Sequence, residues 1–269
     1  MKYVVMFSGG IASYAAAKRT IAAHGKENVI LLFTDTLEED WDLYRFLDES
    51  AAKLGTPLVK LCDGRNIWRV FKDERFLGNS RLDPCSRILK RELAQKWMES
   101  NFTPETAIKV VGFDWTELHR LERTQKASAP WIVEAPLAEK PLLSKCDMLR
   151  ECKADGVEPP RLYSMGASHN NCSGLCVKAG QGHFAWALKA IPKVYEKWEA
   201  NEEAIRQLLQ KDVSILTDRR GKETMTLKAF RSRVETGDFD ADDIGGCECF
   251  VAPDLDDDEP DAAFFLPDE

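Results

Sequence analysis

Val4-Val5-Met6-Phe7 is an apolar run rich in β-branched residues; Ser8-Gly9-Gly10 ends it, and Ile11 to Ala23 follows at once. Nothing else in the chain constrains the fold as tightly. A strand without alternation is buried on both faces, as in a parallel sheet covered by helices. The next stretch holds Ala12, Ala15, Ala16 and Ala17 and predicts a helix. A glycine turn therefore lies between a buried strand and a helix N-terminus. Glycines let a ligand approach the backbone, and the first helical N–H groups point outward with partial positive charge. Such a corner suits a phosphate, with the Ser8 and Ser13 hydroxyls as further donors. A plain strand–turn–helix corner without a ligand is the alternative.

The strand-and-helix alternation continues. Asn28 to Phe33 reads as a second buried strand, Pro57 to Cys62 as a third and Ala107 to Phe113 as a fourth, with a helix predicted from Trp41 to Lys53. This order predicts an α/β fold with a doubly wound parallel sheet. Trp131 to Leu137 is a candidate for one more strand. Phe33-Thr34-Asp35 ends the second strand, where open α/β sheets bind ligands. The neighbouring Thr36, Glu38 and Glu39 equally suit a helix cap and its dipole.

Pro84 precedes a helix predicted to reach about Met98, whose first turns carry Cys85, Arg87, Lys90 and Arg91. A thiol at a helix start among cations is activated toward the thiolate, whereas a small buried side chain is the ordinary fate of one cysteine. Arg87 and Lys90 suit phosphate contacts or a solvated basic face. After the fourth strand, Gly112 lets a ligand come near, and Glu117 and Arg120 share a helix face.

Beyond about residue 140 the pattern becomes helical. Ser144 is a predicted N-cap for Lys145 to Ala154, Pro192 breaks the helical run from Phe184 to Gln210, and Thr226 to Thr236 is amphipathic. Asn170 to Phe184 is polar and glycine-rich, a candidate acceptor-side wall. It contains Cys172 and Cys176; Cys247 and Cys249 follow Gly245-Gly246. Two close pairs make four soft ligands, enough for zinc or a [4Fe–4S] cluster, with His169 in reserve. Four unrelated buried cysteines are the alternative. The expected organisation is residues 1–140 as a nucleotide-binding α/β domain, 141–252 as a helical region with the cysteine site, and 253–269 as a disordered acidic tail.

The motif Ser8-Gly9-Gly10-x-x-Ser13 resembles the pyrophosphate loop (PP-loop) of the ATP pyrophosphatase superfamily. It departs from many members at Ala12, where they carry Asp, and is closer to the PAPS reductase-like branch. Cys85-Ser86-Arg87-x-x-Lys90 and Gly112-x-x-x-x-Glu117-x-x-Arg120 are similar to segments of that branch. The resemblance covers the chain through Arg120. It implies nucleotide contacts from Ser8, Gly9, Gly10, Ile11, Ala12, Ser13, Phe33, Thr34, Asp35, Gly112, Glu117 and Arg120. It implies catalytic roles for Ser8, Ser13, Arg87, Lys90 and Arg120, with Cys85 as a nucleophile or sulfur carrier. ATP and Mg2+ are the implied cofactors, with either a [4Fe–4S] cluster or Zn2+ on Cys172, Cys176, Cys247 and Cys249. The implied reaction splits ATP to AMP and pyrophosphate and adenylates a nucleobase or small molecule, in some members for sulfur insertion. A reductase of PAPS itself and a non-catalytic nucleotide-binding module with structural zinc are the other two readings.

Charge bears on partners. The chain carries 37 Lys and Arg against 45 Asp and Glu, a net charge of −8. Eight of those carboxylates lie in residues 254–269, which have no Lys or Arg, so the body is neutral. A neutral body gives no global steering toward tRNA or DNA. No apolar run approaches a membrane span, the first residues enter a core strand directly, and eight cysteines suggest metal or redox chemistry in a reducing compartment. A cytoplasmic protein without a leader is expected; a homodimer stays open.

Overall fold

The computed structural model describes residues 1–218 and 223–245. Five strands form one parallel sheet in the order β3-β2-β1-β4-β5: β1 (Lys2–Met6), β2 (Val29–Asp35), β3 (Leu58–Cys62), β4 (Ala107–Val110) and β5 (Val133–Glu134). β1 runs parallel to both β2 and β4. The chain thus winds from β1 out to β3 and then crosses back to the other side of β1. The crevice above the carboxyl ends of β1 and β4 is the topological switch point.

Alternation along the strands feeds two cores. Val5, Phe7, Leu31, Phe33, Ile108 and Val110 pack under α1 (Ile11–His24) and α2 (Trp41–Leu54). Val4, Met6, Leu32 and Val111 face α5 (Leu93–Asn101) and α6 (Leu118–Ser128) through Ala94, Met98 and Leu121. α1 has alanines on several sides because it is covered on several sides. Met148 and Cys152 of α7 (Lys145–Ala154) join the α1 core, so the first element after residue 140 packs into the sheet domain. Asp40 caps α2 through the Asp42 N–H, and Gly55 ends it in the left-handed conformation. Ser144 and Asp147 form a reciprocal capping box on α7.

A third core holds α3 (Ile67–Asp73), α4 (Pro84–Ser86), α8 (Arg161–Ser164), α9 (Gln181–Ala190), α10 (Pro192–Leu209) and α11 (Leu227–Thr236), with the hairpin β6 (Leu216–Asp218) and β7 (Glu223–Met225). Pro192 opens α10 at its first position. Buried Glu202 ties α10 to the hairpin and α11 by accepting from Ile215 N at 2.9 Å and Leu227 N at 2.6 Å. This C-terminal assembly docks on the sheet's carboxyl edge. Glu38 takes Lys197 as ion partner and lends its carbonyl to Ser173 at 2.8 Å, and Arg161 grips the Asp40 carboxylate with two bonds of 2.9 and 2.6 Å.

Two expectations differ. The helix expected from Cys85 to Met98 contains a π-helical turn, Arg87–Glu92, between α4 and α5. The strand expected over Trp131 to Leu137 pairs only at Val133–Glu134, because Pro136 has no N–H for a ladder.

Candidate active site

Gly9 has φ +76, and a Cβ there would lie 2.8 Å from Leu43 Cγ. Both the left-handed backbone and the pressure of α2 exclude a side chain. Gly10 then sits at the N-cap of α1 with no side chain to cap it, and the first turn has no acidic residue. Buried Ser13 turns its hydroxyl to the Gly10 carbonyl at 2.7 Å, so it braces the loop. The Ile11 N–H donates to the Tyr163 hydroxyl at 3.1 Å, and Asn170 Nδ2 donates to the Gly9 carbonyl at 3.1 Å.

The second wall comes from β4. A Cβ on Gly112 would stand 3.0 Å from both Ala12 C and Ser13 N. Gly112 therefore touches the loop's backbone, and the first and third sequence motifs meet at the switch point. Glu117 is the N-cap of α6 and pairs with Arg120, whose guanidinium also lies 4.8 Å over the Phe113 ring. At the end of β2, Asp35 accepts from Tyr44 Oη at 2.9 Å and Leu37 N at 2.8 Å. These bonds fix its carboxylate at the sheet edge. Phe33 and Thr34 are buried.

The π-helical turn divides the basic run, since one extra residue per turn re-aims the side chains. Lys90 points inward, 4% exposed, and pairs with Glu39 at 3.7 Å. Glu39 also accepts from Thr36 Oγ1 at 2.9 Å and Cys172 N at 2.5 Å. Burial raises its pKa, opposed by Lys90 and those donors. Arg87 points outward to Glu74 and Glu92 at 2.7 and 2.8 Å. With Arg91 and Lys109 it lines an open crevice of about 470 Å³ between α5 and α6.

Cys85, Cys172 and Cys176 line one small cavity of about 20 Å³, together with Lys90, Asp83 and Trp198. The Trp198 indole N–H is buried without a partner. Of the expected metal quartet, Cys247 and Cys249 lie outside the described residues, as does the acidic tail. Before them in the chain, Gly245 bridges to Ala179, and Gly180 N donates to Ile244 O at 3.0 Å. Among the described residues no three His, Cys, Asp or Glu side chains converge closely enough to hold a metal ion. His169, the reserve ligand, stacks on His183 at 4.7 Å. Burial first, then the charges of His183, Lys145 and Lys90, lowers its pKa to about 3, opposed by a hydrogen bond with the Asn171 backbone.

Sequence reasoning missed Tyr163 at the loop, Lys145 over the Tyr163 ring at 4.6 Å, and Arg161 and Lys197 as the docking cations. Asn170 fell within the polar stretch already singled out. No sequence signal marks Tyr163, because its contact with Ile11 spans 152 positions.

No family description matches the chain, and no curated protein does. Solved structures resemble the chain at low identity. A phosphoadenylyl-sulfate (PAPS) reductase from Candida auris, in a phosphate complex, is 16% identical over 62% of this chain and 78% of its own, with a TM-score of 0.43. An NH3-dependent NAD synthetase from Campylobacter jejuni, in complex with nitrate, is 16% identical over 78% and 84%, with a TM-score of 0.40. A U34-tRNA thiolase from Methanococcus maripaludis, with its [4Fe–4S] cluster, is 12% identical over 87% and 73%, with a TM-score of 0.44. At these values the likeness assigns no activity.

Proposed function

We propose that the protein is an enzyme that binds ATP with Mg2+ at the β1–α1 corner and cleaves it to AMP and pyrophosphate, adenylating an acceptor. The N-terminus of α1 supports this reading most: it has no side-chain cap of its own, no acidic residue in its first turn, and only a neutral hydroxyl on its first N–H. Such a terminus at a switch point is an anion site. Gly9 and Gly112 let α2 and β4 close on the loop, and Gly10 puts no side chain over the helix N-terminus.

An acceptor oxygen attacks the α-phosphorus, and the bond from that phosphorus to the bridging oxygen breaks. Pyrophosphate leaves with the electron pair of that bond. The N–H groups of Gly10, Ile11 and Ala12 hold the leaving pyrophosphate, and Ser13 braces their loop. Arg120, Lys90 and Arg87 are the cations of the reading; Lys90, buried against Glu39, is the best placed to act in a low dielectric. Asp35 offers acceptor lone pairs to the ribose or to hydrated Mg2+, beside Phe33 and Thr34. The acceptor is a nucleobase or small molecule; the neutral body gives little attraction to tRNA or DNA beyond it.

Cys172 and Cys176 with Cys247 and Cys249 would make four soft thiol donors, and the chemistry of that set suits Zn2+ or a [4Fe–4S] cluster. Cys85, Cys172 and Cys176 line one cavity without converging closely enough to hold a metal ion by themselves. A cavity of about 20 Å³ admits one water-sized body, so a cluster requires it to widen. When bound, a cluster would supply sulfur or electron chemistry and zinc a structural clamp. Among the described residues no helix is long and apolar enough to cross a membrane, and a cytoplasmic location suits reduced thiols.

Titration calorimetry of the full-length protein with ATP and Mg2+ tests the reading. Binding is expected, and Gly10→Val should abolish it. Binding of PAPS in place of ATP would favour the reductase. Binding of neither nucleotide would refute the proposal.

A further inference from the structure

The loop from Ser8 to Ser13 supplies one wall of an anion site; residues 145–170 supply the other. The Tyr163 hydroxyl accepts from Ile11 N at 3.1 Å, and a Cβ on Gly10 would lie 3.3 Å from the same oxygen. The Lys145 ammonium lies 4.6 Å over the Tyr163 ring, held by the Ala167 and Ser168 carbonyls at 3.3 and 2.5 Å. Burial lowers its pKa. Asn170, 1% exposed, spends its Nδ2 on Gly9 O and leaves Oδ1 buried without a partner. Folded proteins rarely leave a buried polar atom unsatisfied. Here it borders a helix N-terminus that has no side-chain cap of its own.

We propose that Tyr163 is a place-holder: its hydroxyl occupies the position a phosphate oxygen takes on the Ile11 N–H, and an incoming pyrophosphate group displaces it and gains Lys145 as a cation. The inference rests on the reading of this loop as a phosphate site. A charged acceptor makes roughly twice as strong a bond to an N–H as a neutral one, and the α1 dipole adds to its advantage. Arg161 anchors α8 to Asp40 at 2.6 Å, so the exchange needs only rotation of the tyrosine side chain, which lifts its ring from Lys145.

The test is calorimetric titration of the full-length protein with pyrophosphate, with thermal melting of each variant to establish folding. Tyr163→Phe removes the internal competitor and should tighten pyrophosphate binding about fivefold, the value of one neutral hydrogen bond. Lys145→Gln should weaken it about tenfold or more. Unchanged or weaker binding by a folded Tyr163→Phe variant would overturn the place-holder role. Unchanged binding by Lys145→Gln would remove Lys145 from the site. If the wild-type protein binds neither pyrophosphate nor ATP, it is the phosphate-site reading that fails.

Discussion

Gly112→Ala is the sharpest perturbation the geometry offers. The added Cβ would lie 3.0 Å from Ala12 C and Ser13 N and 3.2 Å from Ala12 O. Ordinary contacts of this kind begin at 3.4 Å, so the two backbones must part by about 0.4 Å. All three neighbours are backbone atoms of the first turn of α1, which cannot swing aside as a side chain can. Overpacking of this kind costs about 1–3 kcal/mol, equivalent to a fall of about 2–12 °C in Tm for a chain of this size. The same displacement moves the N–H groups meant for phosphate by nearly the tolerance of a binding site, about 0.5 Å. Nucleotide affinity should drop on the order of tenfold. Thermal melting and ATP titration read the two effects. Gly64→Ala is the control: φ is +91 and nothing lies within 4 Å, so backbone strain of about 1 kcal/mol should lower Tm and leave ATP binding alone. A Gly112→Ala protein that melts with wild type and binds ATP equally well would show that the contact with the loop does not shape the site.

Lys90→Met should cost about 3–5 kcal/mol by stranding the buried Glu39 carboxylate, read by urea unfolding; a loss under about 1 kcal/mol would refute the buried pair as described. Cys172→Ser should lower the metal content of protein purified without oxygen, and full retention would exclude Cys172 as a ligand. Glu202 has its pKa raised to about 7, mainly by burial, against an ordinary value of 4.5. The unfolded chain releases this proton first as pH rises, so the stability the group contributes is complete below about 4.5 and is lost by about 7. Relative to Glu202→Gln, the wild type should lose a few kcal/mol between pH 4.5 and 7. The lowered pKa of His169 acts in the opposite direction in both proteins, so only the difference between them reports Glu202. Parallel pH profiles would refute the assignment.

Much of this molecule can be read from its residues. Val4 to Phe7 and Val29 to Phe33 have no polar position to expose, so only a doubly covered parallel sheet suits them. Gly9 marks the turn because no other residue tolerates its left-handed backbone and the neighbouring Leu43. Ser144 and Pro192 mark helix starts through bonds made within a few residues. These are local facts of backbone and solvation, which the sequence carries at short range.

Long-range placement decided the rest. The helix expected after Pro84 has a π turn, and that turn sends Lys90 inward to Glu39 while Arg87 faces the opposite way. Cys85 joins Cys172 and Cys176 across almost ninety positions because α4 and the 172–176 turn pack into one core. Tyr163 and Asn170 reach the Ser8–Ser13 loop because Glu38, Asp40, Lys197 and Arg161 hold the C-terminal assembly against the sheet edge. The sequence by itself determined the sheet, the glycine turn and the charged and thiol groups available. Which of those groups share a cavity was settled only in the tertiary structure, because burial, ion pairing and close approach are properties of segments distant in sequence.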